Sequence, residues 1–223
     1  MSSDTQQAAN PHYNADYFAW QQGIGAFGGI ANRSRFAKYI KPTDIVVDFG
    51  AGGGFLVSGF NCAEKIGVEV NPAGRANGTQ LGARMVPSFA DLPDNYADVV
   101  VSNNALEHTD YPLKHLQEAF AKLKPGGLLV LAVPCEQVGY RWKPNDVNLH
   151  LYSWSPMAAG NLVTRAGFDV LESRAVVSKW PRFYQVWQKI FGWTIFHMIC
   201  RVWGHFDRDW FQIRCVARKP ITA

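Results

Sequence analysis

Apolar positions along the chain alternate between two spacings. Short β-branched or apolar runs, IVVDF (45–49), KIGVEV (65–70), MVPSF (85–89), DVVVSN (98–103) and LLVLAV (128–133), predict strands. Between them, FLVSGF (55–60), the segment after Asn71-Pro72, the stretch 112–123 and SPMAAGNLVTRAG (155–167) carry helical spacing. FDVLESRAV (168–176) and FQIRCVARK (211–219) predict two closing strands. Strands that are apolar at nearly every position are buried on both faces. That pattern argues for a parallel sheet with right-handed crossovers, a doubly wound α/β fold.

The ends of the chain read differently. Residues 1–15 are polar, broken by Asn10-Pro11, and are expected to form a flexible tail. From Asp16, the run DYFAWQQGIGAFGGIANRSRFAKYI predicts two helical pieces split by glycines 23, 25, 28 and 29, together a helical cover over 16–40. Residues 16–223 are expected to form one domain, with a helical insert at 177–210 between its last two strands. The 48% hydrophobic content excludes a disordered chain. The net charge of +4 comes without a Lys/Arg stripe, so no nucleic-acid partner is expected. Cys62, Cys135, Cys200 and Cys215 lack zinc-site spacing. The N-terminal segment lacks secretory-signal features, so free thiols in a reducing cytoplasm are expected.

In open parallel sheets, ligands bind beyond the carboxyl ends of the strands. The first such end reads VVDFGAGGGF, where glycines 50, 52 and 54 let the backbone turn and approach a ligand, with the N-terminal N–H groups of a following helix facing it. Phe55 stands where a dinucleotide fingerprint requires glycine. Glu69 ends the second strand about 20 residues after Asp48, where a carboxylate can accept hydrogen bonds from both hydroxyls of a ribose. Asp91 follows the third strand, and Asn103-Asn104 ends the fourth. Acidic groups at three successive strand ends, beside a glycine loop, form a nucleotide-type constellation.

At these residues the chain resembles class I S-adenosylmethionine-dependent methyltransferases of the small-molecule type. VVDFGAGGG resembles the family's first motif, GVEVN its second-strand acid and FADLP its adenine-binding acid. DVVVSNNALEHTDYP and LKPGGLLVLAVP resemble its fourth and fifth strand motifs. The resemblance implies a seven-stranded, mostly parallel sheet and S-adenosylmethionine as cofactor, with S-adenosylhomocysteine as coproduct. It further implies that Gly50, Ala51 and Gly52 line the methionyl moiety and that Asp48 is among the cofactor-binding residues. Glu69 and Val70 would flank the ribose, Asp91 and Leu92 the adenine, and Asn103 the amino-acid end. Tyr17, Gln21 and Gln22 of the cover would close over the cofactor.

The sulfonium is itself a strong electrophile, so the protein's main task is to hold a nucleophile in line with the methyl group in a dry site. His108, in LEHTD, and His150, in NLHLYSW, border the expected acceptor pocket and are the candidate bases. Glu107, His108 and Asp110 raise the question of a metal, but adjacent Glu-His side chains rarely point the same way, and no metal is assigned. Cys135, in VPCEQ, reads as a strand-end thiol, and NNAL departs from the motif of adenine N6 enzymes. The expected acceptor is a small or medium-sized molecule offering O or N: a saccharide, a lipid-linked glycan or a natural-product intermediate.

Between Val176 and Phe211 the chain carries Trp180, Trp187, Trp193, Trp203 and Trp210, interleaved with Arg182, Lys189, Arg201 and Arg208. The segment predicts helix bent at Gly192, too short in its apolar runs to span a bilayer. A pocket lid, a homodimer contact and a peripheral contact with the inner membrane face each fit residues 180–210. Two other functions stay open: a non-catalytic S-adenosylmethionine-binding scaffold and an NAD-dependent oxidoreductase.

Overall fold

The computed structural model describes residues 15–221, apart from 137, 138, 140 and 209. The expected tail at 1–15 falls almost entirely outside these residues. Helix α1 (Ala15–Ala37) leads into strand β1 (Ile45–Phe49), followed by β2 (Glu64–Val68), α2 (Pro72–Gln80), β3 (Arg84–Val86), β4 (Ala97–Asn103), α3 (Pro112–Lys122) and β5 (Leu123–Glu136). Helix α4 (Pro156–Arg165), β6 (Asp169–Val176), α5 (Tyr184–Phe206) and β7 (Trp210–Arg218) complete the order. The strands form one seven-stranded sheet in the order β3-β2-β1-β4-β5-β7-β6. Strands β1 to β5 pair in parallel, and β7 runs antiparallel between β5 and β6.

Alternate residues of the central strands enter different cores, as expected of a sheet buried on both faces. Val47, Val100, Leu129, Leu131 and Val133 pack on one side with Leu116, Val163 and Phe168. Val46, Val99, Val101, Val130 and Ala132 pack on the other with Phe36 and Phe60. The reversal of strand order lies between β1 and β4, so the crevice at their carboxyl ends is where a ligand site is expected.

Three elements differ from the pattern read off the sequence. The segment 55–60 forms only a 3-10 turn at Val57–Gly59, so no helix N-terminus faces the glycine loop. Glycines 50, 52 and 54 all take positive φ, which coils the chain there in place of starting a helix. Helix α1 is continuous despite its glycines, and two of them, Gly25 and Gly29, make room for Phe55: a Cβ on Gly29 would lie 2.6 Å from the Phe55 backbone carbon. Strand β5 begins five residues before the predicted LLVLAV run and takes in Lys124-Pro125-Gly126-Gly127, with Gly126 at φ 81 and a register shift against β4 taking up the extra residues.

The insert is helical and breaks at Gly192 (φ 70, ψ 177). It is tied to α1 by Phe27, whose ring meets Trp180, Tyr184, Trp193 and Phe196 at centroid distances of 5.0, 4.7, 5.3 and 5.7 Å. Such aromatic pairs stabilise beyond their buried area by about 0.5–1.5 kcal/mol each. No helix among the described residues is long and apolar enough to cross a membrane.

Candidate active site

The crevice is a cleft of two lobes, of about 540 and 600 Å³, that share Gln21, Gly50, Gly52, Asn104 and His108. The glycine loop is the wall between them. Gly50 and Ala51 both donate their N–H to the Val68 carbonyl, at 3.0 and 3.1 Å, which folds the loop back over β2. At Gly50 (φ 71) a Cβ would meet the Ala105 Cβ at 2.2 Å, so only glycine fits.

Glu69, just past β2, governs the loop. Its Oε2 accepts the Gly52 N–H at 2.8 Å and its Oε1 accepts the Asn71 N–H at 2.8 Å. Burial raises its pKa, while the Asn71 and Gly52 N–H groups and Arg75 pull it down. Each carboxylate oxygen has a second lone pair, leaving acceptor capacity toward the first lobe, which Glu69 and the half-exposed Val70 both line.

Beyond β3 the first lobe is lined by Pro87, Ser88, Phe89 and Ala90. The Oδ2 atom of Asp91 accepts the Ser88 N–H (3.1 Å) and hydroxyl (3.0 Å), closing a capping box on the turn Phe89–Asp91. Leu92 is buried in the core. Neither residue is among those lining the cleft.

Asp48, Ala51 and Asn103 line the second lobe. Asp48 is buried, and desolvation, reinforced by the Glu69 charge, pushes its pKa to about 8. The Asn103 Oδ1 atom is buried without a hydrogen-bond partner. Gln21 stands at the shared mouth: a Cβ on Gly52 would lie 3.2 Å from its Oε1. Gln22 is exposed, and the side chain of Tyr17 lies outside the described residues.

His108 and His150, 42 positions apart, come together. The Leu151 N–H donates to the Glu107 carbonyl at 2.9 Å, which lays the loop before α4 against the end of β4. The two imidazoles meet edge to face at 4.9 Å. His150 Nδ1 is 2.7 Å from Glu136 Oε1, leaving Nε2 as its other functional nitrogen. Beneath them Glu107 is fully buried, and neither carboxylate oxygen closes a hydrogen bond. Burial pushes its pKa to about 8, outweighing the Asn104 amide and the residue's own N–H, which lie near enough to lower it. Glu107, His108 and His150 each bring a ligand-type atom within 4.8 Å of the others.

Two polar groups of the second lobe have no place in the sequence reading. Glu136 ends β5, and the strand-end rule that selects Asp48 and Glu69 would have found it. Gln212 is buried with its Oε1 unpartnered, and it comes from β7, whose side chains no motif places at the cleft.

A methyltransferase-domain family model matches residues 26–173, and the chain belongs to that family. This agrees with the resemblance to S-adenosylmethionine-dependent methyltransferases carried by the strand-end motifs. An uncharacterized methyltransferase of Mycobacterium leprae is 36% identical over 97 residues, covering 40% of this chain. The match spans 36% of that relative's own length. Among solved structures, the [4+2]-cyclase SpnF superposes with a TM-score of 0.62 at 19% identity, covering 91% of this chain and 83% of its own. A Haemonchus contortus phosphoethanolamine N-methyltransferase 2, in complex with phosphomonomethylethanolamine and S-adenosylhomocysteine, gives 0.60 at 15%, covering 91% and 59%. At these identities the structures show a shared fold.

Proposed function

We propose that the protein transfers a methyl group from S-adenosylmethionine to an O or N atom of a small or medium-sized acceptor, a saccharide, lipid-linked glycan or natural-product intermediate. The observation that carries this reading is the two-lobed cleft divided by a glycine loop that Glu69 holds. The adenosine fits the first lobe, with its ribose hydroxyls donating to the remaining lone pairs of Glu69 and its base beside Phe89. The methionyl ammonium fits the second lobe, where Asp48 and the unpartnered Asn103 Oδ1 are acceptors. The sulfonium then lies at the junction, facing His108 and His150.

For a hydroxyl acceptor, the oxygen attacks the methyl carbon as the S–CH3 bond breaks, the hydroxyl proton leaves and S-adenosylhomocysteine departs as a neutral thioether. Glu136 orients His150, which fits a role in receiving that proton. The exposed side of α5 supports a peripheral contact with an anionic membrane surface. Trp187, Ile190, Ile195, Met198, Val202 and Phe206 lie exposed along it, and the helix holds Lys189 and Arg201 but no acidic residue. Labelled S-adenosylmethionine incubated with free and lipid-linked saccharides tests the reaction: label should appear in the acceptor in step with S-adenosylhomocysteine. Cofactor binding without label in any acceptor would favour a scaffold.

A further inference from the structure

The least explained group beside the cleft is Glu107, buried next to His108. A carboxyl group with no exposed surface and no closed hydrogen bond leaves buried polar atoms unsatisfied, which a packed protein rarely tolerates without a purpose. Its Oε1 stands 3.9 Å from His108 Nε2. His150 completes the group, and one ligand atom from each residue lies within 4.8 Å of the other two. Cis ligands of a first-row divalent ion bound at about 2.1 Å stand about 3 Å apart, so small side-chain rotations would close this triangle.

We propose that Glu107, His108 and His150 bind a divalent first-row transition ion of the Zn2+, Fe2+ or Co2+ class, with open positions facing the second lobe. Two imidazole nitrogens and one carboxylate oxygen form a borderline donor set, suited to these ions above Mg2+ or Ca2+. The surroundings match a metal centre in a second respect. Glu136 accepts from, or shares a proton with, His150 Nδ1 at 2.7 Å, and a carboxylate on the far nitrogen of a ligating imidazole fixes its tautomer and raises its basicity. Residue order explains the geometry: Glu107 and His108 sit on the tight turn Leu106–His108, so consecutive side chains converge that would diverge on a strand. The Leu151 N–H to Glu107 carbonyl bond brings His150 to them. Resting on the methyl-transfer reading, the ion takes the place of His150 as the group that activates the acceptor, since His150 Nε2 is then a ligand, and narrows the acceptor to one presenting a hydroxyl oxygen, which an open coordination position would hold and acidify.

The test uses the full chain, freed of metal by chelation, and Co2+ as probe. Calorimetry and the visible spectrum should report one equivalent of Co2+ with a d–d band of a nitrogen- and oxygen-ligated ion. Glu107→Gln and His108→Ala should each weaken Co2+ binding tenfold or more, and Glu136→Gln by about 10- to 100-fold. Circular dichroism melts show which variants fold, and His150→Gln carries the test where Glu107→Gln does not. Absence of saturable Co2+ binding, or equal binding by folded Glu107→Gln, His108→Ala and His150→Gln proteins, would overturn the site. A parallel titration of the wild type with S-adenosylhomocysteine separates the two readings. Bound nucleoside without Co2+ removes the metal site and leaves the reaction. Bound Co2+ without nucleoside keeps the metal site and removes the proposed cofactor.

Discussion

The Glu69 carboxylate accepts the backbone N–H of Gly52 at 2.8 Å, so the acid at the end of β2 and the glycine loop at the end of β1 are one unit. This bond gives Glu69 two tasks, holding the loop and meeting a ribose. Glu69→Ala should weaken S-adenosylhomocysteine binding by about 1–3 kcal/mol through loss of charged hydrogen bonds. Calorimetry measures it directly, and unchanged affinity would remove Glu69 from the cofactor site.

Asp48 supplies a test in which stability and binding move in opposite directions. Its folded pKa, about 8, stands above its ordinary value of 3.8. The folded state therefore binds this proton more tightly, and the associated stability, full below pH 4, is lost as pH rises through about 8. Asp48→Asn should unfold at higher urea concentration than wild type at pH 9, by about 2–4 kcal/mol, and show a flatter pH profile. A cationic ligand beside Asp48 should ionise it, so S-adenosylhomocysteine binding near pH 7 should release close to one proton. The heat should depend on the buffer's ionisation enthalpy in wild type and not in Asp48→Asn.

Gly50 tests the loop backbone. Alanine there combines a positive φ with a Cβ 2.2 Å from that of Ala105. Gly50→Ala should cost about 2–4 kcal/mol in urea unfolding, unless β4 and the loop separate.

Much of this architecture was legible because its signals are local. Alternating β-branched runs place five parallel strands, and strand-end acids mark the cleft, since a parallel sheet presents its carboxyl ends together. What the sequence could not show was pairing across distance. Asp91 matches a motif acid, yet it caps its own turn, because Ser88 three residues earlier offers a nearer partner. The glycines of α1 read as helix breakers, while Gly25 and Gly29 sit within a continuous helix and make room for Phe55 from another segment. In the sequence Glu107 and His108 stand with Asp110, whereas the structure groups them with His150. His150 reaches them through a loop whose path depends on a backbone hydrogen bond, and such bonds leave no residue-type signature.

The insert offers a prediction independent of the cleft. Ile190→Glu and Met198→Glu change exposed positions of α5, 65% and 59% accessible, and should leave the melting temperature within a few degrees of wild type. Co-sedimentation with vesicles rich in anionic lipid should fall at least tenfold in the double variant, and wild type should bind zwitterionic vesicles weakly. Equal sedimentation of wild type and variant would refute a membrane role for this face.

A cleft that accepts S-adenosylmethionine should select its product over other nucleotides. The most direct measurement is a thermal-shift titration of the full chain with S-adenosylhomocysteine beside NAD and NADP, since a ligand at 100 times its dissociation constant stabilises the folded state by about 2.7 kcal/mol. S-adenosylhomocysteine alone should give a saturable rise, lost in Asp48→Ala. No rise, or an equal rise with NAD, would contradict S-adenosylmethionine binding in the cleft.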